Sequence, residues 1–124
     1  MKRALIMVLV LGAASPGVAV ASCVPMTPAQ QRARADVIFE GVALEGPTAT
    51  GVQRFGVRRY LKGAGPRILR VATGEVRRAD GSGTVTSVSI HVGRGERWRI
   101  FARGSARRVL QTNVCDGSRR IARR

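Results

Sequence analysis

The chain has 124 residues, of which 22 are Lys or Arg and 7 are Asp or Glu, so its formal net charge at pH 7 is +15. It contains one His and two Cys. These cannot complete a four-ligand zinc site without carboxylates, and they leave few side chains for acid–base catalysis. The composition therefore argues against most catalytic functions and predicts one domain of modest size.

The first 21 residues have the pattern of a secretory signal peptide. A short positive region comes first, residues 4–14 are uncharged and apolar, and a Ser-Pro-Gly sequence follows. Residues 19–21 are Ala-Val-Ala, which is the small-x-small pattern that a signal peptidase cleaves after. We therefore predict cleavage between Ala21 and Ser22 and a secreted, extracytoplasmic protein.

Two other interpretations of this segment stay open. The uncharged stretch 4–21 approaches the roughly 17–25 residues that span a bilayer, so an uncleaved membrane anchor is one alternative. Residues 20–22 also resemble, together with Cys23, the lipobox of bacterial lipoproteins. In that case Cys23 would be lipidated and would become the N-terminus of an anchored envelope protein.

The two cysteines, Cys23 and Cys115, lie at opposite ends of the predicted mature chain. An even pair of cysteines in an exported protein is typically a disulfide. Closing such a long loop removes conformational entropy from the unfolded chain. We therefore predict a Cys23–Cys115 disulfide, with lipidation of Cys23 as the alternative.

In chain order, the sequence predicts one short helix followed by about five strands. Thr27 and Pro28 form a helix start, with an N-cap hydroxyl and a Pro at the first helical position, and residues 29–35 suit a helix of about two turns. The later segments are apolar on one or both faces and are separated by Gly- and Pro-containing turns. The predicted strands are 36–45, 52–61, 67–73, 97–103 and 109–112, with a short alternating segment at 88–92.

In the strand 52–61 the apolar residues fall on one face, with Arg59 as the exception. The polar stretch 74–86 is predicted to be a loop or an exposed hairpin, and the Arg-rich residues 118–124 a flexible tail. Short strands with one helix indicate a mainly β domain, either an antiparallel barrel or a sandwich.

Five segments of the chain resemble the netrin-module and tissue-inhibitor-of-metalloproteinase superfamily, in its small bacterial secreted branch. The resemblance implies that residues 22–117 form a five-stranded antiparallel OB-type barrel with one short N-terminal helix, held at the N-terminus by a disulfide. The matching segments are Cys23, Ala35–Val42, Phe55 to Gly63, Gly95–Ala102 and Leu110–Gly117.

The resemblance also implies a non-enzymatic interaction module, and a protein partner such as a protease is the first functional hypothesis. The animal inhibitors bind the protease zinc through a processed N-terminal Cys, with a second Cys two residues later. Pro25 occupies that second position here, and the predicted cleavage leaves Ser22 ahead of Cys23. Inhibition through the N-terminal Cys therefore departs from the family pattern.

Catalytic and cofactor-binding patterns are missing from the sequence. The single His91 lies on a short alternating segment, the serines lack a GxSxG turn, and no Gly-rich phosphate loop occurs. Trp98 shares a strand face with Ile100 and Ala102, so we predict that it belongs to the core. We predict a non-enzyme with no catalytic residues, no metal site and no cofactor.

Arginines at outward positions of the predicted strands make anion binding the second functional hypothesis. Guanidinium groups suit phosphate and carboxylate polymers, and OB-type barrels commonly bind ligands on a sheet face. The partner would be a wall polymer, extracellular DNA or a lipid surface, without specific nucleic-acid recognition. The alternative is a solvated Arg-rich exterior that reflects genome composition. The candidate residues are Arg54, Arg58, Arg70, Arg97, Arg99 and Arg103, with Tyr60 and Phe101 as aromatic contacts, Phe101 only if the short helix leaves it exposed.

Overall fold

A computed structural model of the protein describes residues 23–122. The predicted signal peptide, its cleavage site and Ser22 lie outside these residues. Within the described part of the chain, no helix is both long and apolar enough to cross a membrane.

The predicted helix is present as α1, Pro28–Arg34. Thr27 caps it through a reciprocal pair of hydrogen bonds, because the backbone N–H of each of Thr27 and Gln30 donates to the other's side chain. None of its residues is buried. It is tied to the sheet by Lys62, whose Nζ donates to the carbonyl of Arg32 at 2.8 Å.

A curled sheet of six strands forms a half-barrel and accounts for most of the fold, so the mainly β prediction is confirmed. The order across the sheet is β7-β3-β2-β1-β6-β8. All neighbours pair antiparallel except β3 and β7, which are parallel. A separate two-stranded hairpin, β4–β5, lies in the predicted loop or hairpin region. The strands are β1 Val37–Ala43, β2 Val52–Lys62, β3 Ile68–Ala72, β4 Val76–Arg77, β5 Gly83–Thr84, β6 Arg97–Ala102, β7 Leu110–Gln111 and β8 Arg119–Arg120.

The connections give the sheet a Greek-key order. Strands β1, β2 and β3 follow one another, and β6 then returns by a long connection to pair with the free edge of β1. Beyond β6, Arg103 and Gln111 form an isolated antiparallel bridge with backbone hydrogen bonds of 2.8 and 3.0 Å. This bridge brings the end of β6 to β7, although the two lie far apart in the strand order.

The core fills the concave side of the sheet. Phe39 and Phe55 are both 0% exposed and meet edge to face, with ring centroids 5.8 Å apart. Trp98 and Ile100 pack in the same cluster, which confirms the predicted core position of Trp98. Gln53 is also buried here.

The segment 88–92, which alternates briefly in sequence, is a loop in the structure. Its residues Ile90 and Val92 are buried in the core cluster. The Gln53 amide donates to the carbonyl of Val92 at 2.9 Å and accepts a hydrogen bond from Thr73 at 3.1 Å. These bonds satisfy the buried amide and fix the loop across the sheet.

The predicted disulfide is present. Cys23 and Cys115 are bonded, with Cα atoms 5.2 Å apart, and the bond joins the segment before α1 to a short 3-10 turn at Val114–Asp116. A structural disulfide is typical of an oxidising, extracytoplasmic compartment.

Residues 118–121, predicted as the start of a flexible tail, are hydrogen-bonded to the sheet, and two of them form a strand. Arg119 and Arg120 form β8 and pair with β6. Ser118 Oγ accepts a hydrogen bond from the backbone N–H of Phe101 at 2.9 Å, and Ile121 N–H donates to the carbonyl of Arg97 at 2.9 Å. The tail pairs because the outer edge of β6 presents backbone groups that need partners.

Candidate anion-binding groove

The pairing of β1 with β2 has two register shifts, and the bulge at one of them determines which arginines reach the outer face of the sheet. Gly41 of β1 lies opposite Val57, but the preceding residue, Glu40, lies opposite Arg59. Arg58 is therefore an extra residue, and such an insertion reverses the facing of the residues that follow it. Arg59 consequently lies on the outer face, beside Glu40, instead of entering the core.

Arg59 was missed as a candidate because strict alternation placed it on the apolar face. The sequence does carry a signal for this bulge. A charged residue that interrupts an otherwise apolar strand face indicates that the register changes just before it. In β2 that interruption is Arg59 itself, directly after the bulged Arg58.

Glu40 is the central carboxylate of the outer face and is only 13% exposed. Its Oε1 accepts hydrogen bonds from Arg59 on β2, including one from Nε at 2.8 Å, and from Arg99 on β6 at 3.2 Å. The Arg59 hydrogen bonds contribute most to holding the pKa of Glu40 below its ordinary value; burial opposes them and Arg99 assists. Glu40 is therefore an ionised clamp between two strands.

An open groove of about 630 Å³ lies over this clamp. Its walls include one carboxylate and four guanidinium groups, so the groove is strongly positive. The last described residues of the chain form its apolar rim. We call this the arginine groove; its lining is Glu40, Arg58, Arg59, Arg97, Arg99, Ile121 and Ala122.

Three guanidinium groups in the arginine groove have unused hydrogen-bonding capacity. Within residues 23–122, Arg58 and Arg97 form none of the salt bridges that the other groove arginines form with Glu40. Arg99 donates to Glu40 through Nη2, but its buried Nε has no hydrogen-bond partner. A buried donor without a partner calls for a bound water or anion.

The other three candidate arginines lie outside this lining. Arg54 pairs with Glu45 at 3.2 Å, and Arg70 lies directly across from Arg54 on β3. Arg103 pairs with the buried Asp116 at 3.3 Å. The structure thus brings Arg58, Arg97 and Arg99 of the predicted set together in one place, and it adds Arg59.

Neither aromatic candidate is a free ring on the outer face. Phe101 is 8% exposed and packs with Ala35, Ile38 and Leu61, so the prediction of an exposed contact is wrong. Ala35, just after α1, covers the ring, whereas the helix itself has no buried residue. Tyr60 is half-buried against the core, and its hydroxyl donates to the carbonyl of Pro66 at 2.6 Å.

His91 forms a pair with Glu75 outside the arginine groove. Its Nδ1 lies 2.6 Å from Glu75 Oε2, and Arg77 donates to the other oxygen at 3.1 Å. Burial raises the pKa of Glu75, but the hydrogen bonds from His91 and Arg77 outweigh it and leave that pKa below its ordinary value. Among residues 23–122, no three His, Cys, Asp or Glu side chains cluster as metal ligands would. The pair therefore satisfies a buried carboxylate at the base of the β4–β5 hairpin.

The sequence matches no protein-family model and no curated protein.

Proposed function

We propose that this protein is an extracytoplasmic, non-enzymatic binding module that holds the anionic groups of an external polymer or surface in the arginine groove. The observation that carries the proposal is the incomplete pairing there. Arg58 and Arg97 have no carboxylate partner within the described chain, and Arg99 Nε is buried without an acceptor. A phosphate or carboxylate would satisfy these donors with charge-assisted hydrogen bonds.

This proposal places anion binding ahead of the protein-partner hypothesis that came from the family resemblance. A solvated Arg-rich exterior accounts for arginines spread over a surface. It does not account for a guanidinium nitrogen that is removed from water and left without a partner, since such a donor costs about 1–3 kcal/mol. A ligand that supplies the missing acceptor would recover that free energy.

The fold is proposed to be a five-stranded OB-type barrel of the netrin-module kind. The Greek-key order of β6-β1-β2-β3 supports this. The isolated bridge between Arg103 and Gln111 supports it too, because it brings the end of β6 to β7, as a closed ring of five strands would require. The Cys23–Cys115 bond supports it further, because the resemblance implies an N-terminal segment held by a disulfide.

The protein is proposed to be free rather than lipid-anchored. A sulfur that is bonded in the Cys23–Cys115 disulfide cannot also carry a lipid thioether. The intact mass of the exported protein, measured before and after reduction, tests this point. We expect a chain starting at Ser22 that gains two hydrogens on reduction. A lipid adduct on Cys23 would contradict the proposal.

The binding proposal is tested with two double variants that lose the same charge. Arg58→Ala/Arg97→Ala removes the unpaired arginines of the groove, whereas Arg107→Ala/Arg108→Ala removes two exposed arginines from the turn before β7. The measurement is the salt concentration that elutes each protein from a phosphocellulose column. We expect the groove variant to elute at clearly lower salt than the turn variant.

Two results would reject the proposal. If both variants shift elution equally, only net charge matters and the groove has no special role. If the wild-type protein already elutes below physiological salt, its affinity for anionic polymers is too weak to serve a function. Circular dichroism of each variant confirms that the β fold is intact.

A further inference from the structure

The arginine groove continues into a second groove at the turn between β2 and β3. This second groove has a volume of about 360 Å³ and is lined in part by Tyr60, Pro66 and Arg67. Arg58 and Arg59 line both grooves. The bulge in β2 therefore stands between two positively charged depressions and belongs to each of them.

The arginines of the two grooves come from a line of neighbouring segments that crosses the sheet. Arg97 and Arg99 come from β6, Arg58 and Arg59 from β2, and Arg67 lies beside β2, since its carbonyl accepts a hydrogen bond from Val57 at 2.7 Å. From β6 across β1 and β2 to residue 67 there are three inter-strand spacings of about 4.8 Å each, so the distance across the sheet is roughly 14 Å. A single phosphate or carboxylate cannot contact both ends of such a line, but a linear chain of charges can.

The aromatic side chains near this line do not suit the stacking of nucleic-acid bases. Proteins that hold single-stranded nucleic acid combine a basic groove with exposed rings. Here Tyr60 is half-buried, with its hydroxyl bound to Pro66, and Phe101 is buried in a separate cluster. The chemistry favours an anionic chain that carries no bases.

We propose that the two grooves form one binding track for a linear, base-free phosphate polymer, which would lie across the strands from Arg97 to Arg67. Arginine suits phosphate because its planar fork donates two parallel hydrogen bonds to phosphate oxygens, as it does to carboxylate oxygens. This inference rests on the proposed function and goes further, since it names the ligand class and extends the site to Arg67.

Inorganic polyphosphate of defined chain length is the probe that tests the track. Binding of fluorescently labelled protein is measured with tripolyphosphate and with chains several times longer, over a range of salt concentrations. We expect affinity to rise at least tenfold between the short probe and a chain long enough to span both grooves. We also expect Arg67→Ala to weaken binding of the long chains several-fold and to affect tripolyphosphate binding no more than Arg107→Ala does.

The matched variants separate the two levels of the proposal. Arg97→Ala should weaken both probes, and Arg107→Ala should weaken neither beyond its effect on net charge. For the long chain, each track variant should lower the slope of log affinity against log salt by somewhat less than one, as expected for one lost phosphate contact. Arg67→Lys should restore part of the binding lost in Arg67→Ala, because it keeps the charge and loses only the fork.

Each remaining outcome has a definite meaning. If Arg97→Ala weakens binding but Arg67→Ala does not, the track is wrong and the single groove survives. If neither matters more than Arg107→Ala, both the track and the proposed function fail. If single-stranded DNA or a sulfated polysaccharide with the same number of charges binds more tightly than polyphosphate, the phosphate polymer is the wrong ligand class.

Discussion

Removing the Cys23–Cys115 disulfide should cost this domain a large part of its stability. The two residues are 92 positions apart, so the bond closes almost the whole described chain into one loop. In the chain-entropy treatment, a loop of that length is worth about 4.6 kcal/mol at 25 °C. That is comparable to the entire free energy of unfolding of a small domain, about 5–15 kcal/mol. We therefore expect Cys23→Ala/Cys115→Ala to be folded only marginally.

The single Trp98 reports this loss directly. It is the only Trp of the chain and is 8% exposed, so its fluorescence should change when the core opens. Urea unfolding should show a free energy of unfolding lower by about 4–5 kcal/mol in the double variant. The melting temperature should fall by roughly 20–35 °C, since about 4–8 °C corresponds to 1 kcal/mol in a domain of this size.

Helix α1 should be affected more than the sheet. Its seven residues, Pro28–Arg34, include no buried side chain, and isolated helices of that length are unstable in water. The disulfide just before α1 is one of its few anchors. We expect fast amide exchange in α1 of the double variant, under conditions in which β1 and β6 stay protected.

Two controls make this result decisive. Wild-type protein unfolded in the presence of a reductant should match the double variant, and both should be monomeric. A loss below about 1 kcal/mol in both samples would refute the reasoning, because the disulfide would then hardly constrain the unfolded chain.

Three further predictions concern single residues of the sheet. Glu40→Gln should lower the stability at neutral pH and make the stability less dependent on acid pH. The pKa of Glu40 is lowered in the folded state, so the Glu40 carboxylate stabilises the protein above the unfolded pKa of about 4.3, and this stabilisation is lost as the pH falls through the folded pKa. Urea titrations at pH 3 to 7 test this, and parallel curves for the two proteins would contradict it. Phe55→Ala should cost about 3–5 kcal/mol, because the ring is fully buried against Phe39; a loss under 1 kcal/mol in urea would mean that the core is not packed there. Gly41→Ala should destabilise β1 because its Cβ would lie 2.7 Å from the carbonyl oxygen of Gly56, and an unchanged melting temperature would show that the strands separate at no cost.

Periodicity and turn residues predicted most of the fold. The helix at residues 29–35 and the long strands were found close to their predicted positions, because apolar alternation and Gly-containing turns are local signals. The cysteine pair was predictable from its place in an exported chain. Strand β8 was not, since two arginines near a chain end carry no strand signal until the edge of β6 is there to pair with them.

The candidate site was predicted only in part, because the face of the sheet on which a side chain lies depends on the register of its strand. Alternation correctly placed Arg97 and Arg99 outward on β6, but it put Arg59 on the wrong face of β2. The exposure of Phe101 also depended on tertiary structure. Its face is outward by alternation, but Ala35 and Leu61 cover it, and no local pattern reveals that contact.

The bulge in β2 connects these observations to function. In a regular strand, consecutive residues point to opposite faces, so Arg58 and Arg59 could not both line one groove. The extra residue lets both do so, and it also sets Arg59 against Glu40. Bulges often occur next to functional sites because they redirect side chains. A genome bias toward Arg explains how many arginines the chain has, but it does not explain a backbone irregularity that gathers four of them around one carboxylate.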